Sequence, residues 1–243
     1  MANYALSFDG IDDYVDCGNG SSLDITNAIT ISMWIYKTAD NNYMAPVSRT
    51  DSTFTDPFKG WNFAFRQLSA GGNLYFFYYD KNGNSNLYQT SIDASSYVLN
   101  GWHHITTSFI FGSGVAGKVY IDGIMKTANW GVGNGTVGIN SLTHPILIGL
   151  NKGGSGGALQ HQFAGSIDDV RIYNRALSAD EIQALYFGKE VDSTGLVGWW
   201  KFDEGSGTTA IDSSGNGNNG TLMNGPTYTE FPTRIVGAGS LQT

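Results

Sequence analysis

The sequence predicts an all-β antiparallel sandwich interrupted by one short helix. Three observations predict it. Short stretches alternate apolar and polar residues with a period of two, and they gather the aromatic residues, 13% of the chain. The breaks between them, such as residues 80–86 (DKNGNSN), 112–117 (GSGVAG) and 151–157 (NKGGSGG), carry Gly and Asn, which take positive φ in turns. Charged residues are sparse at 14%, and Gly is abundant at 33 of 243 positions, a balance that favours strands and tight turns over helix surfaces.

Taken in order, residues 5–18 (ALSFDGIDDYVDCG), 28–37 (AITISMWIYK), 60–68 (GWNFAFRQL) and 73–80 (NLYFFYYD) read as strands. So do residues 102–111 (WHHITTSFIF), 117–125 (GKVYIDGIM), 144–151 (HPILIGLN) and 165–174 (GSIDDVRIYN). In LYFFYYD, Phe76 and Tyr78 must lie on one sheet face and Tyr75, Phe77 and Tyr79 on the other, so some of one set should face solvent. Residues 178–187 form the helix. Ser178 and Glu181 have capping-box spacing, Leu177 and Ile182 that of a hydrophobic staple, and Gly188 stops the helix. Residues 189–194 then read as a linker.

A formal net charge of −8 and a pI near 4.7 argue against nucleic acid and anionic membrane as partners, and no apolar stretch is long enough for membrane insertion. The single cysteine, Cys17, reads as a small hydrophobe at a strand end. The start of the chain has no signal-peptide pattern. The expected setting is extracellular, a cell surface or a virion.

The ordered motifs SFDGIDDYV, ITISMWIY, WHHI, GKVYIDG, ILIGLN and FAGSIDDVRIYNRALSADEIQALY span residues 4–188. They resemble the laminin-G-like jelly rolls of the concanavalin A-like lectin/glucanase superfamily. The resemblance implies that the sandwich is a jelly roll. It also implies that GLVGWWKFDEGSGTTAIDSSGNGNNGTL, at residues 195–222, is similar to the segment with which such domains begin. The chain therefore reads as a circular permutation: a main body at 1–188, and a 195–243 segment that completes the same sandwich or a neighbouring subunit's. Trp199 and Trp200 make it costly for that segment to find no sheet.

Catalysis is not expected. Glucanases of the superfamily use acidic residues alternating on one strand, whereas adjacent Asp168 and Asp169 should point to opposite faces of theirs. Asp9, Asp12, Asp13 and Asp16 lie at a turn without a spaced Glu pair. His103, His104, His144 and His161 lack metal-ligand spacing. Arg171 and Arg175 read as partners of nearby carboxylates.

Calcium is the candidate cofactor, in a structural role. Asp212, Asn216 and Asn218 offer hard oxygens in a Gly-relaxed loop, and a plain Asx-turn is the alternative. The resemblance implies a rim calcium joined by Asp168 or Asp169. For sugar binding the candidates are the loop aromatics Tyr43, Phe54, Phe58, Trp61 and Trp130, since amphipathic rings can stack on sugar faces. The leading expectation is a non-catalytic lectin-like adhesion module for extracellular or cell-surface glycans. The alternative is a self-assembling protein: a filament subunit exchanging strands head to tail, or a virion decoration protein.

Overall fold

The computed structural model describes residues 3–39, 43–50, 59–68, 71–90, 101–115, 117–152 and 159–230. Two antiparallel sheets pack face to face as a jelly-roll sandwich. The eight-stranded sheet runs Ile124–Lys126, Lys118–Ile121, Trp102–Ile110, Ala28–Lys37, Ala164–Tyr173, Tyr4–Asp9 and Thr227–Glu230, with Leu196–Trp200 also paired to Ala164–Tyr173. The nine-stranded sheet runs Ala128–Val132, Ser85–Thr90, Gly71–Tyr79, Gly60–Leu68, Tyr43–Thr50, Leu147–Ile148, Tyr14–Asp16, Gly220–Met223 and Thr209–Ala210.

The core follows from the pleat. Ile29, Ile31, Met33 and Ile35 point inward from one sheet and meet Trp61, Phe63, Phe76 and Tyr78 from the other, each at most 2% exposed. Tyr75, Phe77 and Tyr79 take the outer face, as the alternation requires, but Tyr75 is buried there at 5% exposure against Ala45 and Ala64, and Phe77 and Tyr79 are half-buried rather than open to solvent. Gly165 lets two strands approach closely. Its φ is +133°, and a Cβ there would sit 2.0 Å from the Tyr36 carbonyl oxygen.

The described part of the segment after the linker, residues 195–230, pairs with strands of this same chain. Leu196–Trp200 pairs with the second half of Ala164–Tyr173, Gly220–Met223 with Tyr14–Asp16, and Thr227–Glu230 with Tyr4–Asp9. Val197, Trp200, Phe202 and Ala210 enter the main core.

The helix runs Ala179–Tyr186. The Ser178 hydroxyl accepts from the Glu181 N–H, while the Glu181 carboxylate accepts from the Ser178 N–H and from Arg175. Leu177 and Ile182 are buried together, and Gly188 at φ +67° follows the last turn. Arg175, with the cap donors, holds the Glu181 carboxyl down to about 2. A carboxyl depressed on folding stabilises above its unfolded pKa and loses that contribution as pH falls through the folded one. Glu181→Gln should therefore lower stability by about 1–2 kcal/mol at pH 7. The deficit should shrink between about pH 4.5 and 2, where wild type protonates. Urea unfolding at several pH values checks this.

Candidate functional site

Asp168 and Asp169 line one cleft, contrary to the expectation from strict alternation. The ladder between Ala164–Tyr173 and Ala28–Lys37 carries a bulge between Asp168 and Arg171, and Asp169 sits at φ +51°. The extra residue breaks the period of two and swings Asp169 to the outer face beside Asp168. At this point Tyr4–Asp9, paired to residues 164–167, gives way to Leu196–Trp200, paired to residues 170–173. A cleft of about 520 Å³ opens there on the outer face of the eight-stranded sheet, with Asp168, Asp169, Arg171, Trp199, Lys201 and Asp203 among its walls.

Arg171 donates two hydrogen bonds to Asp169, at 2.9 and 3.1 Å, and Trp199 Nε1 donates a third at 2.6 Å. Arg171 and Lys201 lie 4.3 and 4.1 Å from the Trp199 ring centroid. Asp169 holds the Arg171 guanidinium in its charged form against its burial. Asp168 is 1% exposed and forms the floor.

Each candidate calcium ligand of the 212–218 loop has hydrogen-bond partners of its own. Asp212 Oδ1 accepts from the N–H groups of Trp199 and Ser214, and its Oδ2 from Asn218 N–H and the Ser214 hydroxyl, all at 2.9–3.0 Å. Asn216 Nδ2 donates to the Leu196 carbonyl and the Ser214 hydroxyl, and Asn218 Nδ2 donates to Val197 O and the Ser22 hydroxyl. The loop is an Asx-type hydrogen-bonded hub, with Asp169 engaged elsewhere by Arg171. Among the described residues, the group of three acidic ligand atoms within 4.8 Å is Asp9, Asp12 and Asp13. Asp9 Oδ1 there accepts from the Ile11 and Asp12 N–H groups, and burial pushes the Asp13 carboxyl up.

The aromatic candidates divide. Trp61 is 0% exposed and stacks on Phe76 in the core, so its ring offers nothing to a sugar. Trp130 lies in the strand Ala128–Val132 rather than a loop and packs edge-on against Tyr88 and Phe109. Phe54 and Phe58 fall outside the described residues. Tyr43, expected in a loop, opens the strand Tyr43–Thr50 and remains 37% exposed.

Tyr43 stacks on His161, with ring centroids 4.9 Å apart, and the Arg66 guanidinium lies 5.5 Å from its ring. Arg66 faces Tyr43 across the ladder and has no ion-pair partner among the described residues. Burial pushes the His161 imidazole down, which keeps it neutral at pH 7. Further along the same strand face, beyond Ala64, Asn62 is buried at 5% exposure and its Oδ1 has no hydrogen-bond partner among the described residues. Arg66, Asn62, His161 and Lys201 were not anticipated as site residues. For Arg66 and Asn62 the signal was present, since period-two spacing from the core residues Trp61, Phe63 and Phe65 puts both on the outer face.

A Ser–His pair also exists, with Ser32 Oγ and His104 Nε2 2.8 Å apart. At 1% and 2% exposure both are sealed in the fold, out of reach of a substrate.

Comparison with solved structures gives the same architecture. A protein from Bacteroides ovatus, described as a putative carbohydrate binding protein, superposes with a TM-score of 0.64 at 16% identity, over 95% of this chain and 60% of that one. This chain thus spans about 60% of that protein's length. The heptameric SAP-like pentraxin of Limulus polyphemus gives 0.54 at 18% identity, over 76% and 82% of the two chains. The CBM40 module of the Ruminococcus gnavus IT-sialidase, bound to α2,3-sialyllactose, gives 0.53 at 12% identity, over 76% and 98%. The chain also resembles the NanB sialidase of Streptococcus pneumoniae, covering 27% of that protein. No curated protein matches. A family model described as the concanavalin A-like lectin/glucanases superfamily matches residues 9–183, and on that match, carried by the two-sheet jelly roll, the chain belongs to this superfamily.

Proposed function

We propose that the protein is a non-catalytic, lectin-like module that binds an extracellular or cell-surface glycan on the outer face of its nine-stranded sheet. The observation that carries this is Tyr43. It is an exposed ring braced by neutral His161 and flanked by Arg66, a half-buried guanidinium without an acidic partner among the described residues. A sugar ring can pack on the tyrosine while its hydroxyls accept from Arg66. Neighbours of the fold include a protein described as a putative carbohydrate binding protein and a CBM40 bound to α2,3-sialyllactose, which supports the reading. The non-catalytic part rests on Asp169, whose oxygens are occupied by Arg171 and Trp199.

A glycan array on the purified protein should give a defined set of hits. By calorimetry, Tyr43→Ala and Arg66→Ala should each weaken the best hit at least tenfold, about 1.4 kcal/mol, while Tyr43→Phe stays near wild type. Unchanged affinity in both alanine variants would remove this face as the site.

A further inference from the structure

The second cleft, between the ends of Tyr4–Asp9 and Leu196–Trp200, has the makings of a ligand site in its own right. Its volume of about 520 Å³ falls within the range of small-molecule sites, and it opens on the sandwich face opposite Tyr43. We propose that it binds a neutral sugar of one or two rings by hydrogen bonding, making the protein bivalent for glycans.

The lining decides the ligand class. Four carboxylates and three cationic side chains border the cleft, a near balance with one negative charge in excess. An anion would enter against that excess and against the chain's net −8. A divalent cation would need converging oxygens, and among the described residues no three acidic ligand atoms here lie within 4.8 Å of one another. A neutral polyol needs adjacent acceptors and donors, and these are present. Lys189 and Lys201 have no ion-pair partner among the described residues, although carboxylates line the same cleft. Among the described residues, exposed Asp203, two residues after Lys201, makes one hydrogen bond, accepted at 3.3 Å from the Tyr4 N–H. A vicinal diol can donate to the Asp203 carboxylate and accept from the Lys201 ammonium.

Trp199 has a supporting part. Its ring already carries Arg171 and Lys201, and its N–H is fixed to Asp169. The indole therefore positions the two cations rather than stacking on the sugar. Recognition by hydrogen bonds to a neutral ligand should depend little on salt.

The test is calorimetry with methyl α-mannoside, methyl α-glucoside, methyl β-galactoside, lactose and cellobiose, with glucuronate as the charged control. At least one neutral sugar should bind wild type. Lys201→Met combined with Asp203→Asn should weaken that sugar at least tenfold, while Tyr43→Ala leaves it within twofold. Raising salt from about 0.05 to 0.5 M should change its affinity less than twofold. Thermal unfolding of each variant verifies the fold. The cleft is excluded if the double variant binds like wild type, if Tyr43→Ala abolishes all binding, or if no sugar binds at about 10 mM. A preference for glucuronate that weakens with salt would overturn the neutral class. Loss in Tyr43→Ala alone speaks for the other face, and loss in the double variant alone for this one, so the two readings fail separately.

Discussion

Deleting residues 195–243 is expected to abolish cooperative folding of the remaining chain. The described part of that segment places Val197, Trp200, Phe202 and Ala210 in the core at 4% exposure or less, and Trp200 Nε1 donates to the Asn218 carbonyl. Removing one buried Trp or Phe side chain costs about 3–5 kcal/mol, and a domain has only about 5–15 kcal/mol to lose. The deletion removes two such rings at once. It also strips the ladder partners from residues 170–173, Tyr14–Asp16 and Tyr4–Asp9. Residues 1–194 should therefore show no sigmoidal urea transition and should expose apolar surface to a dye. Trp200→Ala in the full chain should still fold, about 3–5 kcal/mol less stable. A peptide of residues 195–230 added in trans should restore a transition whose midpoint rises with peptide concentration. A transition in the truncated chain close to that of the full chain would make the segment an appendage.

The same segment shows what was legible in the sequence. Strands, turns and the capped helix follow from alternation, Gly and Asn placement and the Ser178–Glu181 spacing, because those signals are local. That the final segment needs a sheet was legible from Trp199 and Trp200. Which sheet takes it is a matter of long-range pairing, and the pleat pattern is the same whether the partner strand lies in one chain or another. The strands Tyr43–Thr50 and Ser85–Thr90 were missed: Pro46 and two polar faces blur their alternation, and their neighbours in the sheet stabilise them.

The candidate sites were legible in part. Tyr43 was singled out for its chemistry, and its exposure agrees, although it sits on a strand. Trp61 was misplaced because an aromatic beside a polar stretch looks like a loop residue, while the strand phase that includes Phe63 and Phe65 turns it inward. The shared cleft of Asp168 and Asp169 had no sequence signal, since the bulge puts a non-glycine residue at φ +51°. That conformation is uncommon, though Asp tolerates it better than most residues. The placement depends on Trp199 and Arg171 gripping Asp169 from two strands, which pattern alone does not convey.

Asp212→Ala should be among the most damaging single changes outside the apolar core, at about 2–5 kcal/mol. The substitution leaves the N–H groups of Trp199, Ser214 and Asn218 and the Ser214 hydroxyl without an acceptor. Each buried orphan costs about 1–3 kcal/mol, and water can reach those at Ser214 more easily than the one at buried Asn218. Asp212→Asn should cost less, because one acceptor oxygen survives while an NH₂ group meets the remaining donors. Urea unfolding in millimolar calcium and in a chelator discriminates between a hydrogen-bonded hub and an ion site. With four donors on one carboxylate, the expected wild-type midpoint is the same in both. A calcium-dependent rise that disappears in Asp212→Ala would place an ion at the loop. The variant should also report on the cleft, because the residue whose N–H Asp212 anchors is Trp199, and that indole holds Asp169 on its other side. Neutral-sugar affinity in the cleft should therefore fall in Asp212→Ala even where the protein stays folded, while the Tyr43 face, on the opposite sheet, keeps its own.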